Sequence, residues 1–163
     1  MELQAIIFDV DGTLWNTTDY VAESWNWAAE ECGALRRTPI TGEDLRREFG
    51  KPMNIITQNL FSEEHPETQE KIWHKCSQYE HELLKNLAQD LLYPQVKETL
   101  QKLAEKYRLF IVSNCQKGYI PLFLEKNELQ KYIIDFECFG ETKCSKGENI
   151  RLVMERNGIT EAI

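Results

Sequence analysis

Three short apolar runs constrain this chain more than any other feature: "LQAIIF" leading into Asp9, "RLFIV" leading into Ser113, and "YIIDFECF" ending near Gly140. Each reads as a buried parallel strand. Each is followed by polar or small residues and then by a helical pattern. Pro94 is placed to open the helix before the second strand, with Val96, Leu100, Leu103 and Tyr107 on one stripe. Ile120, Phe123 and Leu124 suit a short crossover helix, and Ile150, Val153 and Met154 mark a last one that Gly158 ends. This order predicts an α/β fold, a doubly wound parallel sheet with a Rossmann-like core. Ligands of such sheets bind beyond the carboxyl ends of the strands.

Residues 16–92 interrupt the alternation with helical patterns alone. Val21, Trp25, Ala28 and Cys32 form one stripe, ended by Gly33. Thr41 is a candidate cap for a short helix carrying Leu45 and Phe49, and Pro66 opens a long helix with Ile72, Cys76, Tyr79, Leu83 and Leu87 at helical spacing. A stretch this long exceeds what a crossover requires. It is expected to be an inserted helical subdomain, with residues 1–15 and 93–163 forming the sheet domain.

A chain of 163 residues with 42% hydrophobic and 28% charged content is ordinary for a soluble enzyme-sized protein. The net charge of −8 argues against nucleic acid or an anionic membrane as partner, but leaves room for a small phosphate-bearing substrate. The N-terminus meets an acid too early to be a signal peptide, and no apolar run reaches membrane-spanning length. Five scattered cysteines without a CxxC pair read as reduced thiols of a cytoplasmic protein.

The chemistry concentrates in "DVDGT". Residues two apart in an extended chain point the same way, so Asp9 and Asp11 would bring two anions together at a strand end. Such a pair is tolerable around a cation or with one carboxyl protonated. Asp9 is placed to attack a phosphoryl group, and Asp11 to protonate the departing alcohol and then activate water. Mg²⁺ fits the need for an oxygen-liganded cation between carboxylate and phosphate. Gly12 permits a sharp turn and an approach of backbone N–H groups to the phosphate, while the Thr13 hydroxyl is a candidate tie for the loop. Asp-Gly alone would mark an ordinary turn. Four specified residues behind an apolar strand are a more specific signal. At the second strand end, Ser113 and Asn114 offer a hydroxyl and an amide for phosphate oxygens. Beyond the third, Lys143 and Lys146 offer positive charge, Lys146 at the mouth of a helix. Trp15, Trp25 and Trp27 divide between pocket and core, Trp25 on the core stripe. Arg46, Arg47 and Lys51 read as a solvated helix end, and His74 and His81 as solvent-facing.

"DVDGT", "VSN" and a lysine opening a late helix, in that order and with a helical insertion after the first, resemble the haloacid dehalogenase superfamily of phosphotransferases. The resemblance covers essentially the whole chain. It implies Asp9 as nucleophile, Asp11 as acid/base, Ser113 as phosphate-binding residue and Lys146 as charge-balancing lysine. It also implies Mg²⁺ held by Asp9 and the backbone carbonyl of Asp11. The insertion resembles the small helical cap of the phosphoglycolate phosphatase and β-phosphoglucomutase group. The implied function is hydrolysis of a small phosphorylated metabolite through an aspartyl-phosphate. A sugar phosphomutase and a non-catalytic phosphate-binding or interaction module are the alternatives. "LWNT" places Asn16 and Thr17 where many capped relatives carry Asp and Ser. The family's fourth, acidic motif follows a further strand, which would start at "GITEAI". With the C-terminal strands missing, the expectations are a bare edge on the first strand, either association into a homodimer through it or reduced solubility, weak Mg²⁺ affinity and impaired turnover.

Overall fold

The computed structural model describes residues 3–34 and 38–163. In chain order its elements are β1 (Ala5–Phe8), α1 (Thr18–Glu31), α2 (Gly42–Glu48), α3 (Met53–Leu60), α4 (Pro66–Asn86), α5 (Val96–Ala104), β2 (Arg108–Ser113), α6 (Tyr119–Asn127), β3 (Ile133–Cys138), α7 (Phe139–Thr142) and α8 (Lys146–Arg156). They fall into two compact units, residues 1–16 with 90–163, and residues 17–89. The sequence-based bounds lay at 16 and 92.

In the first unit the strands form a parallel sheet in the order β1-β2-β3. Ser113 pairs with Cys138, so β2 and β3 end level, while Phe8 pairs with Ile111 and β1 stops two residues short. On one face Ala5, Phe110 and Val112 pack with Val153 and Ile159, flanked by Ile7, Ile150 and Met154. The stripe on α8 exists to cover this face. By strand alternation, Leu109 and Ile111 serve the opposite face, and both are fully buried. Arg156 closes the far end of α8 onto β3, its Nε and Nη2 donating to Asp135 at 2.8 and 3.0 Å and its Nη1 to Glu137 at 3.1 Å. Asn157 adds a bond to Asp135 at 2.7 Å.

Two expectations about this unit are corrected. The edge of β1 is not bare: Gln4 N donates to Glu161 O, Ile163 N to Ala5 O, and Ile7 N to Ile163 O, at 3.3, 3.2 and 2.8 Å. The chain steps from β1 to β3 on one side and returns as a parallel bridge from Ala162 to Ala5 on the other, so strand order reverses at β1. The second correction concerns α5, which begins at Val96 rather than Pro94. Val96 N bonds to Tyr93 O at 3.2 Å, and Gln95 takes φ 67°. Pro94 thus occupies the second position of a type II turn, whose third position needs positive φ. This turn follows a short antiparallel ladder in which Asn16 N donates to Leu91 O at 2.8 Å and Tyr93 N to Leu14 O at 3.1 Å.

The second unit is all helical. α1 packs on α4 and α2, and α3 packs on α4. Its core holds Trp25, Ala28, Leu45, Ile72 and Cys76. Thr41 and Asp44 form the capping box of α2, with Thr41 N bonded to Asp44 Oδ2 at 2.9 Å. Among the described residues no helix is long and apolar enough to cross a membrane.

Candidate active site

Asp9 is the first residue past β1, and Val10 N donates to its Oδ1 at 2.9 Å. The chain then turns at once: Thr13 N and Leu14 N bond to Val10 O at 3.2 and 2.9 Å, and Gly12 N bonds to Trp15 O at 3.1 Å. Gly12 makes the turn possible, since its φ of 72° is one that a side chain disfavours. The Gly12 and Thr13 N–H groups, expected to face a phosphate, are thus engaged within the turn. Backbone bonds rather than the Thr13 hydroxyl hold the loop, and Thr13 itself is exposed.

Lys146 reaches Asp9, with Nζ 2.7 Å from Oδ2 and both side chains partly shielded. It is the first residue of α8, a position set by a second capping box. Ser145 N donates to Glu148 Oε2 at 2.8 Å and Glu148 N to Ser145 Oγ at 3.3 Å. Asn149, fully buried, braces the approach: it accepts from Thr142 Oγ1 at 2.7 Å and donates to Cys144 O at 3.4 Å. Lys143 goes elsewhere. Its Nζ lies 3.1 Å from Gly140 O and over the Phe139 ring.

Ser113 ends β2 as a buried residue beside Cys138 of β3, and Asn114 follows half-buried. Two thiols accompany them. Burial, then the Cys138 thiol and the charge of Asp11, push the Cys115 thiol well up, and a hydrogen bond from Ser113 opposes this. The hydrogen bond from Cys115 holds the Cys138 thiol down at about 7, against its burial. All five cysteines are free.

Sequence reading missed Tyr119, whose hydroxyl donates to Asp11 Oδ1 at 2.5 Å. It also missed Asn149. Asp9 and Asp11 therefore take different cationic or donor partners, Lys146 and Tyr119, rather than simply confronting each other. As metal donors the chain offers hard oxygens, the Asp9 carboxylate and the Asp11 backbone carbonyl. No group of three His, Cys, Asp or Glu side chains assembles around a common point among the described residues. Two protein oxygens fit Mg²⁺, which keeps several waters and takes further ligands from a phosphate.

The other candidates have local roles. Trp15 is fully buried against Tyr119 and Phe123, Trp25 is core, and Trp27 stacks on Tyr79 with centroids 4.5 Å apart beside a surface cavity of the helical unit. Arg46 and Arg47 both pair with Glu43, and Lys51 with Glu48. His74 stacks on Trp73 and lies 3.7 Å from Glu70.

Residues 6–162 match the family model described as haloacid dehalogenase-like hydrolase. The chain is 24% identical to a phosphoglycolate phosphatase of Aliivibrio fischeri, over 98% of this chain and 72% of that protein. It is 25% identical to a phosphoglycolate phosphatase of Vibrio parahaemolyticus, over 82% of this chain and 60% of that protein. A haloacid dehalogenase-like family hydrolase from Streptococcus pneumoniae shares the fold with a TM-score of 0.78 at 17% identity, over 98% of this chain and 73% of that one.

Proposed function

Because this chain belongs to the haloacid dehalogenase-like hydrolase family, we propose that it is a magnesium-dependent phosphomonoester hydrolase of a small phosphorylated metabolite. The observation that carries this reading is the 2.7 Å ion pair between Lys146 and Asp9, at the carboxyl end of the strand where strand order reverses. Asp9 attacks phosphorus, and the ester P–O bond breaks as the Asp9 O–P bond forms. Asp11 delivers its proton to the departing alcohol. Water then attacks the aspartyl-phosphate, Asp11 takes a proton from it, and phosphate leaves with Asp9 restored. Lys146 balances the charge of carboxylate and phosphate, while Ser113 and Asn114 hold non-bridging oxygens. When bound by the Asp9 carboxylate and the Asp11 carbonyl, Mg²⁺ supplies the screening that lets an anion approach a dianion. Five free thiols support a cytoplasmic setting.

The names of the relatives make 2-phosphoglycolate the first substrate to test. Phosphate release with Mg²⁺ is expected from 2-phosphoglycolate or p-nitrophenyl phosphate, and EDTA should abolish it. D9N should lose about a thousandfold or more in kcat with an unchanged melting temperature. Equal turnover by D9N would remove Asp9 as nucleophile. Transfer within a hexose phosphate without net phosphate release would replace the hydrolase by a mutase.

A further inference from the structure

Asp11 is half-exposed on a loop, yet its carboxylate is bound by a phenol with almost no freedom. Tyr119 is 1% exposed. Its ring meets Trp15 edge-on with centroids 5.6 Å apart, and Trp15, fully buried, meets Phe123 in the same way at 5.0 Å. Trp15 is also the residue whose carbonyl receives Gly12 N, so the aromatic cluster and the aspartate loop are one packed assembly. A buried ring in such a cluster presents its hydroxyl at a fixed point. A loop carboxylate bonded to that point loses the rotamers that would swing it away.

We infer that Tyr119 is a positioning residue for Asp11, holding the carboxylate at the angle from which a proton reaches the leaving oxygen. The inference rests on the reading of Asp11 as the acid/base. A poorly aimed acid slows the departure of an alkoxide, which needs a proton, far more than that of p-nitrophenolate, which leaves without one. Loss of mere packing would slow both alike.

The test compares kcat/KM of the wild type and Y119F for 2-phosphoglycolate and p-nitrophenyl phosphate. Y119F is expected to lose about tenfold or more on the alkyl ester and less than about twofold on the aryl ester. In the D11N background, adding Y119F should cost less than about twofold on either ester, because the group it positions is already gone. Equal losses on both esters, no loss on either, or a full further loss on top of D11N would each overturn the inference. A wild type that hydrolyses neither ester would reject the hydrolase reading itself and the inference with it. The double variant and thermal melting of each protein separate a positioning effect from a folding defect.

Discussion

Lys146 occupies a place that helix energetics alone would give to an anion. The first turn of α8 carries the positive end of the helix dipole, and Glu148 of the capping box answers it. A lysine there is placed for Asp9, not for the helix. K146A is therefore expected to weaken vanadate binding about tenfold or more, while K143A changes it less than about twofold, since the Lys143 ammonium rests on Gly140 O. Calorimetric titration decides, and the reverse pattern would move the role to Lys143. Gly140 is constrained for a different reason: a Cβ there would stand 2.0 Å from Lys117 N and 2.4 Å from Gln116 C. G140A should cost about 1–3 kcal/mol in thermal denaturation, and an unchanged melting curve would contradict the close approach. Lys146 was legible because order along the chain and the mouth of a helix both pointed to it. Tyr119 was not, because 108 residues separate it from Asp11 and no local periodicity encodes that meeting.

Among the elements, β2 was legible because a buried parallel strand is written as an unbroken apolar run, and β3, interrupted by Asp135 and Glu137, by its place in the alternation of strands and helices. α3 was missed although Met53, Ile56 and Leu60 stand at helical spacing: Pro52 holds its N-cap position and no side chain caps it. The start of α5 was misplaced because Pro suits a type II turn as well as a first helical turn. The clasp between α8 and β3 makes a pH prediction. Burial raises the Asp135 carboxyl, but hydrogen bonds from Arg156, Asn157 and Phe136 N outweigh it and hold it below the usual range. A depressed carboxylate stabilises the fold above its unfolded pKa and loses that contribution as pH falls through the folded one. With both partners partly exposed, D135N should cost roughly 1–2 kcal/mol at neutral pH. Urea denaturation from pH 7 toward pH 3 should show this gap closing, and a gap independent of pH would exclude the carboxylate as its source.

At the scale of the whole molecule, each unit carries a core of its own. Leu45, fully buried, belongs wholly to the helical one. L45A is expected to destabilise that unit by about 2–5 kcal/mol and to split the calorimetric endotherm into two, the later one at the wild-type temperature. A single transition, shifted as a whole, would mean that the two cores melt together. The ladder joining residues 14–16 to 91–93 adds a kinetic consequence. Closing a flexible loop across residues 17–89 costs about 2 kcal/mol more entropy than closing one of about ten residues, which an early search for β2 by β1 would have to meet. Tyr20 donates to Gln89 near the two ends of the helical unit. Helices that condense first therefore tether their own ends, and the sheet inherits a short loop in place of a long one. In that order of events the insertion, placed where it interrupts the strands, would shorten the search by which they find each other.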